Sequence, residues 1–157
     1  MALFGAARQA RRDDKDLGKG IWRRAHDRFR RALERYHQVL EGVQDDGLYG
    51  ELLPIANQVS GLLPRVRNCC VAAQSLHPTD GLDIPGGTLA EVHRSLSKAG
   101  NSLAATAQAA AMTRLGGSQG YETGVENVRR HAAVVLSDLA EAERLLAGLT
   151  RGGTGKR

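Results

Sequence analysis

The chain has 157 residues, 22 Lys and Arg against 17 Asp and Glu, a formal charge of +5 and a 4% share of aromatic residues. One domain of this length buries roughly 70% of the surface its unfolded chain exposes, so it needs neither a disulfide framework nor a structural metal to hold together. The scarcity of aromatic and β-branched residues argues against a sheet, and no apolar run reaches the roughly 18 residues of a membrane-spanning helix.

The charge is unevenly placed. Residues 1–35 hold 11 of the 22 Lys and Arg and 5 of the 17 Asp and Glu, a balance of +6, and the other 122 residues balance to −1. Arg outnumbers Lys by 18 to 4, the composition of a GC-rich, bacterial genome. Residues 1–15 are expected to form a mobile basic arm, with Arg8, Arg11, Arg12 and Lys15 following a short apolar start. That start has neither the length of a secretory signal nor the Gly needed for myristoylation, so a cytoplasmic location is expected.

Residues 16–151 predict an all-α, up-down-up-down four-helix bundle with coiled-coil-like heptad packing. The first helix, about 17–43, carries three consecutive heptads that open on Trp22, Phe29 and Tyr36, with Ala25, Ala32 and Val39 at the fourth positions. The second, about 48–77, repeats the stripe with Leu52, Ile55, Val59, Leu62, Val66, Cys69, Ala73 and Leu76. Asp45 or Asp46 can cap it, and Pro54 falls near its first turn. Pro64 interrupts a register that continues on both sides, which predicts one kinked helix.

Residues 78–87 form the longest connection. Thr88 and Glu91 then have the spacing of a capping box and open a third helix over about 88–115, whose second half is mostly Ala. Gly116 and Gly117 end it. The fourth helix, about 119–150, starts at Ser118 or at Thr123 with Glu126, and residues 152–157 are expected to be a disordered tail. Two of the three connections are short, so the helices they join should be antiparallel neighbours.

No catalytic residue, cofactor or metal site is expected. Di-iron bundles need inward Glu-x-x-His pairs, whereas Glu34 and His37 fall at outward heptad positions. His26, His93 and His131 flank the apolar stripes and could meet at one seam. Cys69 and Cys70 are adjacent, which disfavours a mutual disulfide, and read as packing residues beside the core or as a redox pair.

The strongest surface signal is arginine. Arg23, Arg24, Arg30 and Arg31 occupy heptad positions b and c, and Arg28 and Arg35 occupy g. They form either a solvated face or a docking strip. The expected function is therefore a non-enzymatic interaction or adaptor module that binds a protein partner or a second copy of itself through a helix face. The alternative is an anionic-surface binder, for acidic lipid or nucleic acid, through residues 1–35. The Ala-rich half of the third helix is a second candidate face.

Overall fold

The computed structural model describes residues 2–116 and 120–154. It is all-helical, with no strand among the described residues: α1 (Ala2–Leu17), α2 (Ile21–Glu41), α3 (Asp46–Ser60), α4 (Leu63–Leu76), α5 (Thr88–Leu115) and α6 (Tyr121–Thr154). Among the described residues no helix is long and apolar enough to cross a membrane.

The expected arm is a helix. Ala2, Ala6, Ala7 and Ala10 favour one, and Gln9 donates to the Asp13 carboxylate one turn on, at 2.8 Å. Residues 4–12 are exposed, and Asp13 and Leu17 anchor the C-terminal end in the body. The first predicted helix accordingly begins later, at Ile21, after a corner at residues 18–20. Gly18 turns that corner with φ +70°, and an added Cβ would meet the Gln74 amide at 2.5 Å, so both backbone and space require glycine. Gln74 in turn exchanges hydrogen bonds with the Thr79 backbone at 3.1 and 3.3 Å, which ties the end of α4 to the same corner.

The second predicted helix is two helices, not one kinked helix. Of the two expected caps, Asp45 serves α3, accepting from Leu48 N at 2.8 Å, and Asp46 is the first residue of the helix. Pro54 lies well inside α3 rather than in its first turn. The carbonyl that loses its partner belongs to Gly50, which is exposed and can turn to water. At Gly61 and Leu62 the ladder tightens, with Leu62 N bonding Val59 O at 3.1 Å, and Pro64 supplies no N–H to resume it. Val59 and Val66 are nonetheless both buried, so the core stripe passes through the break.

α5 spans the expected residues but starts differently. Its N-cap is Gly87 at φ +68°, with no side-chain capping bond, so Thr88 is already inside the helix and the expected capping box is absent. α6 begins at Tyr121, between the two expected starts, and Ser118 lies outside the described residues, as does Gly117. It runs on to Thr154, so residues 152–154 are helical rather than part of a tail, and residues 155–157 lie outside the description.

One hydrophobic core joins α2 to α6, with Leu17 from α1. Its largest fully buried side chains are Trp22, Tyr36 and Phe29, all from α2. Residue pairs give the helix directions. Tyr36 Oη donates to Leu52 O at 3.0 Å and His37 meets Ser60 at 3.0 Å, whereas Gln74, at the end of α4, lies against Gly18 just before α2, so α2 runs against the α3–α4 segment. Ser102 bonds Asp138 at 2.9 Å, and an added Cβ on Gly124 would meet Thr113 Oγ1 at 2.5 Å, so α5 and α6 are also antiparallel and closely packed. Each short connection thus joins segments that run in opposite directions.

α2 and α5 are parallel neighbours. Trp22 faces His93 edge-on with ring centroids 5.7 Å apart, Arg28 and Phe29 lie over Gly100, and Arg114 donates to Val39 O at 3.3 Å. α3 and α4 run parallel to α6, through Glu51–Arg129 and Arg65–Glu143. The long connection therefore leads from α4 to a helix with which α3 and α4 make little contact, and α2 has α4 on one flank and α5 on the other.

Candidate partner-binding groove

Successive residues of an α-helix are turned about 100° apart, so neighbouring arginines on α2 point to different flanks. Arg23 and Arg30 turn toward acids. Arg23 pairs with Asp14 of α1 at 2.7 Å and with Asp27 at 3.0 Å. Arg30 lies 4.0 Å from Asp27 and 3.8 Å from Glu34. Arg24, Arg28, Arg31 and Arg35 are exposed, and no carboxylate pairs with any of them among the described residues. The six arginines of the expected strip are thus divided between two flanks.

The unpaired set lines a groove between α2 and α5. Its head, a cavity of about 500 Å³, is bounded by Ile21, Arg24, Arg28, His93, Leu82 and Ile84. It continues into a second hollow of about 560 Å³ along Arg31, Arg35, Ala32, Gly100 and Ala104. Arg28 and Arg31 border both hollows. Small residues form the floor. A Cβ on Gly100 would press on Cγ and Cδ of Arg28 at 3.3 Å, so the glycine lets the Arg28 stem lie close to α5. The head carries exposed apolar surface, with Leu82 63% and Ile84 55% accessible.

Electrostatically the groove is one-sided. Glu34 is the one acid on its lining, and it leans toward Arg30. Burial, followed by the charge of Arg28, holds His93 below its ordinary value. Like charges three and four residues apart on a helix repel by roughly 0.2–0.5 kcal/mol per pair. Stacking four cations without acids therefore works against α2. Arg65, Arg129 and Arg144, by contrast, each have a Glu partner.

The opposite flank of α2 is a closed polar network. Asp13 is 1% accessible and accepts from Arg67 and Gln9. Arg67 also reaches Asp16 at 3.1 Å, and His26 Nδ1 lies 3.0 Å from Asp27 Oδ1. Burial works to raise the Asp13 carboxyl, but the hydrogen bonds and charge of Arg67 outweigh it and hold it below its ordinary value. Asp13, His26 and Asp27 bring ligand atoms within 4.8 Å of one another. Arg67 and Arg23 already neutralise the two carboxylates, so a divalent cation there would meet two fixed positive charges. The sequence does not show this network, because Asp13 and Arg67 stand 54 residues apart.

His26, His93 and His131 do not converge, since the one such cluster among the described residues contains His26 alone of the three. Cys69 and Cys70 are buried. Burial, then Glu143, pushes the Cys69 thiol up to about 12, and burial raises Cys70 as well, which suits packing rather than thiolate chemistry. Ala107, Ala109 and Ala110 are buried, so most of the Ala-rich face is occupied and only Ala104 borders the groove. The chain matches no protein-family model, no curated protein and no solved structure.

Proposed function

We propose that this chain is a non-enzymatic interaction module, an up-down-up-down four-helix bundle with heptad packing whose α2–α5 groove binds an acidic segment of a protein partner. The observation that carries this reading is the row of unpaired Arg24, Arg28, Arg31 and Arg35 beside a floor of small residues. Arginine suits it, because its planar fork makes two hydrogen bonds to one carboxylate. The test is affinity purification from native extract with the wild-type chain and with Arg28→Glu/Arg31→Glu. A stoichiometric protein retained by the first and lost by the second supports the reading. Identical retention by both contradicts it.

A second reading has its own observation. Phe4, Arg8, Arg11 and Lys15 follow one another at helical spacing, all are exposed, and Phe4 is 74% accessible. A basic helix with one large apolar residue suits an anionic membrane surface. Co-sedimentation with vesicles containing phosphatidylserine should then weaken on Phe4→Ala/Arg11→Gln and leave Arg28→Glu/Arg31→Glu unaffected. The reverse pattern contradicts it.

A further inference from the structure

We propose that the α2–α5 groove receives an acidic amphipathic helix lying antiparallel to both, with a large apolar residue near its C-terminus seated against Ile21, Leu82 and Ile84. The inference rests on the groove being a protein-docking site and specifies the occupant.

Spacing argues for a helix. Arg24, Arg28, Arg31 and Arg35 advance by steps of four, three and four residues, which spans about 16 Å at 1.5 Å per residue. A helix bearing Asp or Glu at the same steps sets a carboxylate opposite each guanidinium. An extended acidic strand rises about 3.3 Å per residue and alternates faces, so it loses that register within two contacts. The floor argues the same way. Ala25, Ala32 and Ala104 put no large side chain in the way of a third helix, and the Arg28 stem lies flat over Gly100.

Polarity follows from the parallel pairing of α2 and α5. Both helices begin at the head of the groove, at Ile21 and Thr88, so the positive ends of two helix dipoles lie there beside Arg24 and Arg28. The negative, C-terminal end of an incoming helix is favoured at that end. The exposed apolar side chains are at the same end, in the connection that carries Leu82 and Ile84.

A second copy of the chain fits poorly, because none of its described helices carries acids at the four-three-four steps of the arginine row, and Glu51, Glu126, Glu141 and Glu143 are already paired with arginines. No Phe, Tyr or Trp among the described residues lines the groove to stack on a base, and its concave shape does not suit a lipid surface.

The test uses three capped, amidated Ala-based peptides of about 18 residues, roughly five turns. The first carries Glu at the four-three-four steps with two Leu near its C-terminus. The second moves the Leu pair to the N-terminus, and the third keeps the composition but places Glu at alternate positions. Fluorescence anisotropy against the full chain should show the first binding at least about tenfold tighter than the others, the scale expected from burying one apolar anchor. Ile84→Asp, a change in an exposed loop, should erase that advantage. Equal binding of the first two peptides, or of the first and third, overturns the proposed helix while leaving an Arg-dependent groove intact. If Arg28→Gln/Arg31→Gln alters the binding of none of them, the docking-site reading itself fails. Arg-dependent binding of anionic vesicles or duplex DNA without peptide binding contradicts both.

Discussion

The two flanks of α2 use the same residue type to opposite ends. Toward α1 and α4, Arg23 and Arg67 are enclosed by Asp13, Asp14, Asp16 and Asp27, and the network closes a buried junction. Toward α5, Arg24, Arg28, Arg31 and Arg35 stand in a row with no acid to meet them among the described residues. A charge that stabilises a fold is matched by the fold. A charge kept unmatched at a cost to its own helix is available to something outside it. The division is therefore open to experiment, one flank through stability and the other through binding.

The largest effect lies behind the enclosed flank. Cys69 and Cys70 are buried and their thiols are shifted up, so modification must await an opening of the domain. We expect a thiol reagent such as dithionitrobenzoate to label both at least about 10³-fold more slowly in native buffer than in denaturant, given typical domain stabilities. Rapid native labelling would contradict the packing role.

Arg67→Ala comes next. It leaves the buried Asp13 carboxylate with Gln9 as its remaining hydrogen-bond donor, and removing one partner of a buried ion pair destabilises by about 3 kcal/mol. Urea unfolding measures the loss, and a change under about 0.5 kcal/mol would mean that the junction is solvated. The same contact sets an acid limit. The Asp13 carboxyl is held below its ordinary 3.8, so its contribution is fully present above that value and is lost as the pH falls through the lowered one. Wild-type stability should therefore fall more steeply below pH 3.8 than that of Arg67→Ala. Parallel curves would remove Asp13 from the explanation.

Arg23→Ala cuts two partly exposed pairs, and we expect a loss of about 1 kcal/mol by urea unfolding. The smallest effect belongs to the open flank. Arg28→Ala/Arg31→Ala removes repulsion together with the contact of the Arg28 stem on Gly100, and the two offset, so stability should stay within about 0.5 kcal/mol. A fall above about 1 kcal/mol would mean that these arginines are structural after all.

The helices were legible in the sequence where one face repeats. The stripe from Trp22 to Val39 and the span of α5 follow from apolar spacing alone, because burial of one face needs no knowledge of the neighbour. The Asp45 cap was legible for the same local reason. α1 was not, because what anchors it is a carboxylate at residue 13 meeting a guanidinium 54 residues later. The break at Gly61 and Leu62 escaped because the core stripe continues through it.

The groove was half legible. All six arginines stand out in the sequence, but Arg23 and Arg24 look alike there. Which one is paired depends on a turn of about 100° and on which helix lies beyond it. The parallel contact of α2 with α5 decides that, and it arises from the path of the connection at residues 77–87, which carries no pattern of its own.

The most direct test compares two variants in one experiment. Arg24→Gln/Arg28→Gln/Arg31→Gln/Arg35→Gln strips the open flank, and Arg23→Gln/Arg67→Gln strips the enclosed one. Urea unfolding and anisotropy with the acidic helical peptide are measured on both. We expect the first to keep or slightly gain stability and to lose peptide binding, and the second to lose stability by about 3 kcal/mol or more. A destabilised first variant, or one that still binds the peptide as the wild-type chain does, would contradict the division of α2 into a structural and a docking flank.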